Sequence, residues 1–266
     1  PVTMRITSSP IADLSAERLD FRGAPNGPKL VQNLVLSNRG SGNLTVTDTD
    51  GIGKANQLSI TVSGGNLVIA DTVEQFSSAP AGWTLGAGGT SIFIAVGSFT
   101  GSITVNGGFG SDTLTVDVTA DSIPAGNIVF SGGENAGDDD RLKIIGTTNV
   151  GTITVTHTGS ESGNVVVGAL GTITYLQIEP LFIDAPSTDL IINLPTGVAL
   201  PNVQLGDNGV IGDGKSAIFD TTGLPAFENT AFTHPTNSLK IVAAEGNDVV
   251  TINALDSLFA VPSVIF

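Results

Sequence analysis

The chain reads almost throughout with a period of two. Runs such as "NLTVTD", "QLSITVS", "NLVIAD", "SITVN" and "TLTVDVT" alternate apolar residues with hydroxyl or acidic ones. That is the pattern of a strand with one buried and one wet face. The same alternation marks "KLVQNLVLS", "SIFIAV", "NIVFS", "RLKIIG", "TITVTHT", "NVVVG", "TITYLQI", "DLIINL", "SAIFD", "SLKIVA" and "VVTIN". Gly, Asn, Asp, Ser and Pro separate the runs, the punctuation of tight turns between short strands. Only "PIADLSAERLD", Pro10 to Asp20, carries a helical spacing, and it predicts one or two turns before "FRGAPNGPK" breaks it. The expected fold class is all-β.

Some of these runs repeat one plan of strand, small-residue turn, acidic residue and strand. The plan is seen in "GSITVNGGFGSDTLTVD" (Gly101 to Asp117), "GNIVFSGGENAGDDDRLKII" (Gly126 to Ile145) and "NSLKIVAAEGNDVVTIN" (Asn237 to Asn253). A fourth version with a longer turn, "PNVQLGDNGVIGDGKSAIFD", runs from Pro201 to Asp220, and "GTIT" recurs at Gly151 and Gly171. Degenerate repeats of this length predict a β-solenoid or β-helix-like stack of short strands, with tandem β-sandwich domains as the alternative. The repeats are tight from residue 98 to 266 and loose over 1–97, which reads as an N-terminal β cap or first β module.

Composition narrows the functional classes. The 266 residues are 40% hydrophobic and 13% charged, against the makeup of a disordered chain. Lys and Arg number 10 against 25 Asp and Glu, a formal charge of -15. That field repels phosphate backbones and anionic lipid, so neither a nucleic-acid partner nor membrane insertion is expected, and cations are the natural counterparts. With no Cys, disulfides, thiolate metal sites and thiol catalysis are excluded. No apolar run reaches the roughly 18 residues that a membrane-spanning helix needs. The chain opens at Pro1 and closes in the strand-like "VPSVIF", which predicts processing or excision from a longer chain.

Few residues carry candidate chemistry. Asp112, Asp248 and the run Asp138, Asp139 and Asp140 are the candidate calcium ligands, because a hard cation takes six to eight oxygens and loop carboxylates supply them. Each of these acids has a second reading, as a turn residue that accepts from nearby backbone N–H groups. "GVIGDGKS", Gly209 to Ser216, matches the phosphate-loop pattern, yet "AIFD" follows where the mechanism needs a helix. "IFDTTGL" differs by one Thr from an aspartic-protease turn and has no second copy to pair with. His157 and His234 are expected at the surface or in turns. The Thr-x-Thr steps at Thr45/Thr47, Thr113/Thr115, Thr152/Thr154 and Thr172/Thr174 predict either a hydroxyl array or ordinary strand propensity. Asn43-Leu44-Thr45 is a lone glycosylation sequon.

Gly107-Gly108-Phe109-Gly110-Ser111-Asp112-Thr113-Leu114-Thr115 fits the nonapeptide G-G-x-G-x-D-x-U-x. Gly132-Gly133 before Asp138-Asp139-Asp140, and Glu245-Gly246-Asn247-Asp248, are looser versions. On these turns and on "GTITYLQIEPLFI" the chain resembles the Gly-Asn-Asp-rich β-repeat modules of very large secreted bacterial surface proteins, akin in style to repeats-in-toxin modules. It departs from a tandem calcium roll because its turns lie far apart, Gly107 and Gly132 being 25 residues from one another.

The resemblance implies a secreted, cell-surface, acidic protein of structural or adhesive type. The leading expectation is a non-enzymatic subunit that polymerises with copies of itself into a filament, stalk or surface layer, a terminal strand such as "PVTMRIT" pairing with a neighbour's sheet edge. A calcium-dependent adhesin module is the alternative. A β-helix that binds or cleaves surface glycans is the third, and it has only one Trp, one Tyr and ten basic residues to build a groove with.

Overall fold

The computed structural model describes residues 35–38, 42–49, 53–119, 127–133, 137–243 and 248–266. All of them belong to the compact unit Gln32–Phe266. The helical turns expected at Pro10 to Asp20 and the terminal strand "PVTMRIT" lie outside the described residues.

Short strands follow one another along the chain. The first are β1 (Val35–Asn38), β2 (Leu44–Thr47), β3 (Gln57–Ser63), β4 (Asn66–Asp71), β5 (Thr84–Leu85) and β6 (Ser91–Ala95). Next come β7 (Ile103–Asn106), β8 (Thr113–Asp117), β9 (Ile128–Ser131) and β10 (Arg141–Ile145). Then follow β11 (Thr152–Gly159), β12 (Ser162–Val167), β13 (Gly171–Leu176), β14 (Leu181–Ile183) and β15 (Asp189–Asn193). The last are β16 (Val203–Asp207), β17 (Lys215–Asp220), β18 (Thr230–Thr233), β19 (Ser238–Val242), β20 (Val250–Ile252) and β21 (Ser263–Ile265). Besides the strands there is one 3-10 turn, Ala87–Gly89, and no α-helix among the described residues.

The protein is all-β, and its strands form two large open sheets. The first sheet runs β1-β2-β7-β9-β13-β12-β11-β15-β19-β21 and the second runs β20-β16-β17-β18-β14-β10-β8-β3-β4-β6-β5. From β7 to β10 each strand lies in the other sheet from the one before it, and its neighbour in its own sheet is parallel. Antiparallel meanders interrupt this alternation at β3–β4–β6, β11–β12–β13 and β16–β17–β18. Strands on both sides of residue 97 contribute to each sheet.

Register stacks like on like. In the second sheet Leu58, Leu114, Leu142 and Leu181 stand side by side, as do Ile60, Val116, Ile144 and Ile183. In the first sheet Ile103, Ile128 and Ile173 form one row and Val105, Phe130 and Tyr175 the next. All of these side chains are buried in one continuous core. Each such Leu or Ile contributes roughly 1.5–3 kcal/mol on leaving water. Because each sheet buries only one face, even its parallel strands keep an alternating sequence, unlike the continuous apolar runs of a parallel sheet covered on both sides.

The structure adds to the sequence reading in three places. The unit Pro201 to Asp220 is a hairpin, β16 against β17 in one sheet, whereas the units at Gly101 and Gly126 carry the chain from one sheet to the other. "TITYLQI" ends as a strand at Leu176, because Gln177, at φ 57, turns the chain towards β14. The Thr-x-Thr steps divide between the sheets: Thr45, Thr47, Thr152, Thr154, Thr172 and Thr174 lie in the first, Thr113 and Thr115 in the second.

Candidate functional site: an acidic ladder and a buried polar chain

Immediately before the apolar rows of the second sheet stands a polar row. Gln57, Thr113 and Arg141 are paired in register, so the residues one step earlier, Asn56, Asp112 and Asp140, also adjoin. Leu142 pairs with Leu181 and Leu181 with Thr230, which places Glu179 and Glu228 at the same level. Asn56, Asp112, Asp140 and Glu228 are buried and Glu179 is half-buried. Five adjacent strands are thus entered through one amide and four acids.

The ladder ties strand to strand through the backbone. Asp112 Oδ1 accepts from the Asn56 N–H at 2.7 Å, and Asp140 Oδ1 accepts from the Asp112 N–H at 2.6 Å. The Asp140 carbonyl accepts from the Glu179 N–H at 2.5 Å. Room for the carboxylates comes from the glycine pairs. A Cβ on Gly107 would sit 2.3 Å from Asp112 Oδ2, and one on Gly132 would sit 2.3 Å from the Asp140 Cβ and 2.2 Å from the Gln177 carbonyl. The first glycine of "GGFGSD" is therefore set by the aspartate five residues on, which tucks beneath it.

The five acids singled out as calcium candidates separate into different settings. Asp112 and Asp140 adjoin in the ladder. Asp139 is exposed, takes the Ser111 hydroxyl at its N–H and pairs with Arg141 at 3.3 Å. Asp138 is half-buried, with Oδ2 enclosed. Asp248 lies at the entry to β20, where Oδ1 accepts from the Leu200 N–H at 2.9 Å. Among the described residues no three His, Cys, Asp or Glu side chains are grouped so as to hold a metal ion.

Burial dominates the electrostatics of the ladder. The Asp112 carboxyl is pushed up to about 8 by desolvation and by the charges of Asp140, Asp48 and Asp71, against the opposing bond from Asn56. Glu228 rises to about 8 through burial and then Glu179, and Glu179 to about 7 through burial and then Glu161. Lys54 pairs with Glu74, Arg141 with Asp139 and Lys215 with Asp184.

His157 corrects the sequence expectation. It is buried, not at the surface, on the inward face of β11 in the row Phe130, Tyr175, Gly163, His157. Its Nδ1 lies 2.8 Å from the Tyr175 hydroxyl and its Nε2 lies 3.3 Å from Thr230 Oγ1, while the Thr230 hydroxyl donates to the Glu228 carbonyl at 3.2 Å. With the threonine proton so directed, Nε2–H is the donor to Thr230, and Nδ1 accepts from Tyr175. Desolvation pushes His157 down to about 3, so the ring is neutral, and burial together with Glu228 pushes Tyr175 upward. Gly163 makes the contact possible, since a Cβ there would stand 2.3 Å from the Tyr175 hydroxyl. The alternation of "TVTHTG" places His157 in phase with Ile153 and Val155; that phase was the signal for its burial.

The remaining motifs resolve into turns. Gly209 to Ser216 links β16 to β17, with Lys215 opening a strand rather than a helix and its amine 2.7 Å from Asp184. Asp220 of "IFDTTGL" accepts from the N–H groups of Thr222 and Ala226 at 3.0 Å each. His234 is half-buried after β18, with Nε2 3.0 Å from the Ser216 hydroxyl and its ring 4.9 Å from that of Phe259. No family model, curated protein or solved structure matches the chain.

Proposed function

We propose that the chain is a non-enzymatic structural module of an extracellular cell-surface assembly, wound as a β-solenoid and joined to copies of itself by strand addition. Three features support the solenoid reading: strands that alternate between two sheets, parallel neighbours within each sheet, and rows of like residues in register. In this reading the meanders are local insertions into the winding. The ladder then serves as the seam that fixes the stacking of successive coils.

One observation carries the assembly reading. Among the described residues, the consecutive strands β20 and β21 are each the outermost strand of a sheet. Val249, Ile252, Ile265 and Phe266, in or beside these strands, are all exposed. An unprotected edge that presents backbone groups and apolar side chains is a template for a further strand. The charge of -15 opposes non-specific clumping and leaves registered pairing as the favoured contact.

Sedimentation and electron microscopy of the purified chain test this. Concentration-dependent polymers are expected, and the double variant Ile252→Lys, Ile265→Lys, which charges both edges, is expected to stay monomeric. A chain that is monomeric at every concentration, or lysine variants that polymerise as before, would refute the reading.

A further inference from the structure

We propose that Glu228 is a proton-operated latch between the two sheets: while it is protonated, Tyr175, His157 and Thr230 tie β13 and β11 to β18, and its ionisation opens that corner. The latch is independent of what the module assembles with.

Geometry supplies the first argument. Tyr175 and His157 belong to the first sheet and Thr230 to the second, so the 2.8 Å bond links β13 to β11 within the first sheet and the 3.3 Å bond crosses the core to the second. The Thr230 hydroxyl ends the chain on the Glu228 carbonyl. Glu228 is itself buried, and the Phe227 ring beside it lies 5.1 Å from the His157 ring. A shift of the Glu228 segment therefore moves Thr230 away from the imidazole and breaks the crossing.

The charges around Glu228 supply the second. The titratable groups acting on it or joined to it are Glu179, from the turn after β13, Glu161, from the turn between β11 and β12, Tyr175 and the neutral His157. Asp140 adds its charge to Glu179 from the next strand. Among the described residues these neighbours are acidic or uncharged, so ionisation of the buried Glu228 adds negative charge to a dehydrated corner beside Glu179. Consistent with this, Glu228 is displaced from an ordinary 4.5 to about 8. Between those values the folded chain keeps a proton that the unfolded chain loses. The stabilisation is complete below about 4.5 and is lost as the pH rises through about 8.

Thermal unfolding of the full chain from pH 5 to 9, in EDTA, tests the latch. The unmodified protein is expected to lose roughly 5 °C or more across that range. Glu228→Gln is expected to make that loss clearly shallower, Asp112 and Glu179 keeping their own shares, and to keep the His157 Nε2–H resonance at pH 9, where the unmodified protein loses it. Glu161→Gln, in the half-exposed turn between β11 and β12, is expected to shrink the loss. A Glu228→Gln variant that falls as steeply as the unmodified chain overturns the proposal. Should that variant fail to fold, an undiminished fall in Glu161→Gln overturns it equally.

Discussion

Gly163 shows how one missing side chain shapes the core. On the inward face of β12, between Tyr175 and His157, it leaves the space through which the tyrosine hydroxyl reaches the imidazole. An added methyl would meet that hydroxyl at 2.3 Å and the Thr156 carbonyl at 2.4 Å. Gly163→Ala is therefore expected to cost about 1–3 kcal/mol, read as a lower urea midpoint, and to shift the His157 ring resonances. A surface glycine with open space around it, such as Gly223, is the control and should change little.

At the scale of elements, the turns before β8 and β10 do more than carry the chain from one sheet to the other. Their glycines bring neighbouring strand entries close enough for the carboxyl group of one to hold the backbone N–H of the next. Gly132→Ala would set a Cβ against the Gln177 carbonyl and the Asp140 side chain. Hydrogen exchange should show the result locally, as faster exchange at the Asp112 amide that Asp140 holds, while amides in β4 and β6 stay protected. The nonapeptide likeness at Gly107 has the same physical basis: the pattern encodes a glycine cradle for an aspartate, and in this chain the aspartate's Oδ1 accepts a backbone N–H. The turn was legible from sequence. The partner N–H, on Asn56, lies 56 residues away and was not.

For the whole molecule, excess negative charge and the open edges act together. Calorimetry with EDTA is expected to leave the melting temperature of the monomer unchanged, because Asp112 and Asp140 already serve backbone donors. A stabilisation by added calcium would instead mark the ladder as a cation site. The edges are a property of the sheets as a whole: β20 and β21, consecutive in the chain, end different sheets among the described residues.

What the sequence determined by itself was local. Period-two alternation fixed which residues form strands and which side of each is buried, because a pleated strand exposes its faces alternately whatever it pairs with. Small-residue turns fixed where strands end. Pairing was decided only in three dimensions. "GSITVNGGFGSDTLTVD" and "PNVQLGDNGVIGDGKSAIFD" follow one plan, yet the first spans both sheets and the second folds back within one. The ladder likewise joins Asn56, Asp112, Asp140, Glu179 and Glu228 from separate turns, and the strand-like string around His157 did not reveal that Thr230 stands opposite to accept its hydrogen bond. Such contacts depend on register between strands distant in the chain. Register is set by the shared core, and no single stretch of residues encodes it.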